Sequence, residues 1–115
     1  MIDNTFLEFK NTYNFLYNRY DGINGHCSIF AYYLYHFFSQ KGFQPKIFSL
    51  NKDIHFWIEI DQHFIDCRGV FKSKKTIIKD FQKYAISIRY TQVHINELSS
   101  YIFKRFNLKL TPNYI

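Results

Sequence analysis

Apolar side chains first recur at helical steps, with Phe6, Phe9, Tyr13, Leu16 and Tyr20 spaced three or four residues apart. The spacing predicts an amphipathic helix from Asp3 to Tyr20, capped by Asp3 or Asn4 and turning Glu8, Lys10, Asn11, Asn14 and Asn18 to solvent. Asp21-Gly22-Ile23-Asn24-Gly25 then interrupts the pattern with turn residues. A second stripe follows at Cys27, Phe30, Ala31, Leu34, Phe37 and Phe38, the pattern of a buried helix face. Lys41-Gly42 supplies its C-terminal cation and left-handed stop.

Beyond Pro45 the period falls to two. Lys46 to Leu50 reads as a short strand and Asn51-Lys52-Asp53 as a turn. His55 to Ile60 alternates, with His55, Trp57 and Glu59 on one face and Phe56, Ile58 and Ile60 on the other. Asp61-Gln62 connects this strand to a returning one at Phe64 to Cys67, and Arg68-Gly69 closes the hairpin. Thr76 to Ala85 suggests a short helix through Ile77, Phe81, Tyr84 and Ala85, and Ile86 to Val93 another strand. Asn96 is the expected cap of a last helix with Leu98, Tyr101, Ile102 and Phe106 inward. No repeat, low-complexity tract or interdomain linker divides the chain, so residues 1–115 are expected to form one domain.

Composition narrows the class. At 47% hydrophobic and 22% aromatic the chain has the material for a core, which excludes a disordered protein. No apolar run reaches the roughly 18 residues of a membrane span. Met1-Ile2-Asp3-Asn4 lacks a basic and hydrophobic leader, so a cytoplasmic protein without a membrane partner is expected. The formal charge is +6, densest at Lys72-Ser73-Lys74-Lys75. That charge suits either an ordinary solvated surface or a face for nucleic acid or an acidic protein. Neither the spacing of the two cysteines nor the expected compartment suggests a disulfide staple.

The chemistry concentrates between Gly22 and Gly69. Cys27 lies on the inward face of a helix's first turn, where unpaired amides and the helix dipole stabilise a thiolate. The same amides can receive an oxyanion. An even hairpin loop at Asp61-Gln62 pairs Trp57 with Asp66 and Glu59 with Phe64, making His55 and Asp66 diagonal neighbours on one face. Their Cβ atoms then stand about 7–8 Å apart or somewhat less, close enough for the side chains to hydrogen-bond. A three-residue loop would send Asp66 to the opposite face. In the even register Cys67 points the other way, as a buried thiol beside Phe56 and Ile58. Each residue alone fits a packing role. Together Cys27, His55 and Asp66 supply the nucleophile, base and orienting group of covalent acyl transfer. Zinc is weighed and set aside, because His26, Cys27, His55, Asp66 and Cys67 include no paired ligand spacing. No metal or cofactor is therefore expected.

Gly25-His26-Cys27 with Ala31 and Leu34, His55-Phe56-Trp57-Ile58-Glu59-Ile60, and Phe64-Ile65-Asp66 resemble the transglutaminase-like core of the papain-like cysteine protease superfamily. The resemblance covers roughly residues 22–70, and its motifs are short. It implies an α+β fold, with N-terminal helices and the Cys-bearing helix packed on a small antiparallel sheet. It also implies Cys27 as nucleophile, His55 as base and then acid, and Asp66 as the group that holds the imidazole tautomer. The papain-type upstream Gln has no clear counterpart. Asn24 or the His26 amide, beside the Cys27 amide, are the oxyanion candidates, and Trp57 packs beside the imidazole or walls the cleft. The expected function is acyl transfer on a protein, peptide or small amide, as peptidase, amidase, deamidase or transglutaminase. The alternative is a non-catalytic binding or inhibitor protein on the same fold, using its basic surface for nucleic acid or an acidic protein.

Overall fold

The alternating stretch between Lys46 and Asp66 forms the middle of a five-stranded antiparallel sheet in a computed structural model, which describes residues 1–84 and 87–112. The strands are β1 (Lys46–Leu50), β2 (His55–Ile60), β3 (His63–Asp66), β4 (Gly69–Phe71) and β5 (Tyr90–Val93), in the order β4-β3-β2-β1-β5. Asp61 and Gln62 both adopt positive φ, 43° and 66°, which suits the right-handed twist of a two-residue hairpin. Ile58 therefore pairs with Ile65, Glu59 with Phe64 and Ile60 with His63, the register of an even loop. His55 and Asp66 consequently share a face.

Among the described residues the α-helices are α1 (Ile2–Thr12), α2 (Asn14–Arg19), α3 (Cys27–Gln40), α4 (Lys74–Ile78) and α5 (Ile95–Phe106). One face of the sheet presents Ile47, Phe56, Ile58, Ile60, Ile65 and Cys67 to a core shared with α1, α2, α3 and α5. The Cys-bearing helix α3 packs on β2, so the α+β arrangement with a helix on an antiparallel sheet holds. Leu50 and Trp57 on the other face are covered by Ile77, Ile78 and Phe81 from α4 and the 3-10 turn Lys79–Tyr84.

The boundaries shift where tertiary contacts override local pattern. The first helix begins at Ile2, with Met1 rather than Asp3 or Asn4 at its cap, and breaks at Tyr13. Thr12 and the Asn residues around it are weak helix formers. The buried Tyr13 ring meanwhile lies 5.2 Å from that of Tyr33 and 5.9 Å from that of Phe37. Past Ile78 the chain tightens into the 3-10 turn, where the Ile77 carbonyl accepts from Arg68 at 2.6 Å. The expected helix end at Ala85 and strand start at Ile86 lie outside the described residues; the described strand begins at Tyr90. The last helix is capped by His94, whose Nδ1 accepts from the Asn96 amide while Glu97 accepts from the His94 amide.

Candidate active site

His55 opens β2 and Asp66 ends β3, so the offset between the strands makes the residues diagonal neighbours. His55 Nε2 lies 2.7 Å from Asp66 Oδ2, with both side chains essentially buried. An ionised carboxylate can only accept, so Nε2 carries the proton and Nδ1 the lone pair. That Nδ1 is buried and has no hydrogen-bond partner among the described residues. Burial lowers the His55 pKa, outweighing the hydrogen bond and charge of Asp66, and the Arg68 charge adds to the lowering. Burial pushes Asp66 upward, but the hydrogen bonds and charges of His55 and Arg68 bring it net below the ordinary carboxylate range. Both shifts describe a neutral imidazole donating to a carboxylate.

Arg68, expected only to close the hairpin with Gly69, is bound directly to Asp66. Its backbone amide donates to Asp66 Oδ1 at 2.8 Å, and its Nη2 to Asp66 Oδ2 at 2.6 Å. Its Nη1 donates to Asp80 Oδ2 at 3.0 Å. The available signal was turn chemistry: Cys67-Arg68 is the turn between β3 and β4, and an Asp readily accepts from the backbone amide two residues on. Phe81 stacks on the imidazole with ring centroids 4.0 Å apart and an interplanar angle of 14°. It lies under the Arg68 guanidinium as well, 5.4 Å from its centre. Trp57 is fully buried beside His55 and donates to Glu59 at 3.0 Å, so it packs against the imidazole and walls no open cleft.

Cys27 lies on the helical side of the sheet, in the core with Phe56 and Ile58, whereas His55 and Asp66 point to the opposite face, where Phe81 covers the imidazole. The helix terminus does not make a resting thiolate. Burial raises the Cys27 pKa to about 11, offset only in part by the Phe56 and Ser28 amides and reinforced by the Asp66 charge. No hydrogen bond to Cys27 satisfies His55 Nδ1. The geometry therefore assembles the His–Asp pair and leaves the Cys27 thiol in the helical core, without a hydrogen bond to His55.

The oxyanion candidates are already engaged. The His26 amide donates to the Asp21 carbonyl at 3.1 Å, and Asn24 Nδ2 donates to the Asp21 carboxylate at 2.9 Å. The His26 ring stacks on Phe106, and its Nδ1 is buried without a hydrogen-bond partner among the described residues. Cys67 points to the helical core beside Phe56 and Ile58, as its parity required, and burial raises its pKa to about 12. Among the described residues no cluster of three His, Cys, Asp or Glu side chains could hold a metal ion. A cavity of about 410 Å³ opens between Ile23-Asn24, just ahead of Cys27, and the Lys79–Tyr84 turn whose Phe81 covers His55. The chain matches no protein-family model, no curated protein and no solved structure.

Proposed function

We propose that this protein is a cysteine-dependent acyl-transfer enzyme of the transglutaminase-like or papain-like kind, acting on a protein, peptide or small amide. The observation that carries the reading is the buried 2.7 Å contact of His55 Nε2 with Asp66, which leaves the buried His55 Nδ1 without a hydrogen-bond partner among the described residues. In this scheme Sγ closes on Nδ1 as substrate enters, a contact that commonly tightens only with substrate bound. The thiol proton passes to Nδ1 as sulfur bonds to the acyl carbon. The C–N bond then breaks, with the Nδ1 proton going to the leaving amine. Water or an acceptor amine attacks the thioester, giving its proton to Nδ1, and the departing sulfur takes that proton back. Asp66 holds the tautomer throughout and stabilises the transient imidazolium. The two free cysteines fit a reducing, cytoplasmic setting.

A second reading, a non-catalytic binding protein on the same fold, is favoured by one observation: Cys27, His55 and Asp66 are all buried beneath Phe81 or the helical core. Its basic surface would hold an acidic protein or nucleic acid. One experiment separates the two. Native protein is treated with peptide vinyl sulfones, and the adduct is located by mass spectrometry. The enzyme reading expects modification at Cys27, strongly slowed in His55→Gln, and turnover of any amide substrate so found reduced by about 10⁴-fold in Asp66→Asn. Equal Cys27 labelling in the wild type and His55→Gln, at the rate of Cys67, would sink it.

A further inference from the structure

We propose that Arg68 is a fourth member of this site, a positioning residue that fixes the Asp66 carboxylate against His55 and shares its charge. The side chain is only 17% exposed, and hydrogen bonds engage four of its five N–H donors. Nε lies 3.2 and 3.1 Å from the two Asp66 oxygens, and Nη2 reaches Oδ2 at 2.6 Å and the Ile77 carbonyl at the same distance. Nη1 holds Asp80, and the guanidinium plane rests over Phe81 and Phe71. A lysine ammonium could keep the charge but not this planar fork. The same side chain thus fixes the carboxylate and ties down the turn whose Phe81 covers the imidazole.

The charge matters because His55 has few other partners. Asp66 faces it from β3, Phe81 from the covering turn, and Trp57 flanks it on its own strand. Glu59 is turned to Trp57 and Lys74, Asp80 is held by Arg68, and Cys27 lies at the Phe56 amide. Burial is the main cause of the lowered His55 pKa, and the Arg68 charge, shared through Asp66, adds to it and keeps Nδ1 able to act as a base. Without Arg68 the full carboxylate charge faces His55, and the pair binds a proton at higher pH.

The role gains its catalytic meaning from the acyl-transfer reading, but its test needs no turnover. The His55 ring is followed by NMR across pH in wild type, Arg68→Gln, Arg68→Lys and Asp80→Asn. Arg68→Gln is expected to move the His55 titration upward. Arg68→Lys should move it less, and Asp80→Asn should leave it in place while loosening the cover. A purely structural Arg68 would lower the melting temperature without moving that titration. A folded Arg68→Gln with the wild-type His55 titration overturns the proposal; if that variant does not fold, an unmoved titration in Arg68→Lys overturns it. If His55 shifts as expected while Cys27 never reacts with an acyl probe, the charge-setting role stands and the enzyme reading alone fails.

Discussion

The two faces of the sheet are covered very differently. On the helical side α1, α2, α3 and α5 bury a continuous core rich in rings, where Phe9, Phe30, Leu34 and Phe38 are wholly enclosed. On the other side a five-residue helix and a single 3-10 turn lay Ile77, Ile78 and Phe81 over Leu50 and Trp57. The thick side holds its contents by apolar packing. The thin side holds His55, Asp66 and Arg68 by hydrogen bonds, with one ring as a cover. A protein built this way can open the thin side with little loss to its core, because local opening follows where buried apolar contacts are fewest. The His–Asp pair thus lies where the fold is cheapest to move, while Cys27 belongs to the thick side.

Paired ring deletions test that contrast most severely. Phe30 is enclosed on α3 and packs edge-on against Tyr17 at 4.9 Å, so Phe30→Ala should cost about 3–5 kcal/mol in chemical denaturation. Phe81→Ala should cost less, below about 3 kcal/mol, because a short cover can collapse into the space. It should also expose the His55 ring to solvent, read as faster hydrogen exchange of its Nε2–H. Equal costs for the two rings, with no change in that exchange, would erase the distinction between the faces.

Gly22 sharpens the comparison from the other direction. A Cβ there would stand 2.5 Å from Cys67 Sγ and 2.9 Å from Phe30 Cδ2, so the helical side has no slack at that point. Gly22→Ala should therefore destabilise by about 1–3 kcal/mol. Adding Cys67→Ala should recover part of that loss, since the nearest obstructing atom is then gone. A fully additive double variant, measured by the same denaturation, would mean that the backbone shifts freely and the packing is looser than the contacts imply.

These contrasts also explain what could be read from sequence. The two strands and the His–Asp hairpin were legible because a period of two, an even loop and turn-forming residues all specify one register, and Asp61 and Gln62 take the required positive φ. Helix α3 was legible from its stripe and its Lys41-Gly42 stop; Gly42 has a φ of 94°. Arg68 was not, because its role depends on Ile77 and Asp80, brought in by a segment without strong periodicity. The Tyr13 break was hidden for a similar reason: the three- and four-residue spacing runs through it, while contacts with Tyr33 and Phe37 are nonlocal. Cys27's resting state was misjudged because a helix terminus favours a thiolate only if solvent or a cation assists, and here burial dominates.

The gentlest test is acid titration of stability, and it compares a histidine on each side. His55 on the thin side and His36 on α3 are both shifted below their ordinary 6.5 by burial; for His55, Asp66 opposes part of that shift. For a depressed histidine the unfolded chain binds the proton first, so protonation favours unfolding as pH falls below about 6.5. Asp66 is shifted below its ordinary 3.8, so its contribution is present above that value and disappears as pH falls through its lower native value. Thermal melts should accordingly be level above neutrality, decline modestly from about pH 6.5 downward, and decline again below about pH 4. His55→Gln should remove part of the first decline, and Asp66→Asn the second. His36 sits among Tyr32 and Tyr35 with no carboxylate partner among the described residues, so His36→Gln should remove its share of the first decline without touching the second. If His36→Gln instead abolishes both declines, the acid sensitivity belongs to the helical side and the buried His–Asp pair is not what the titration senses.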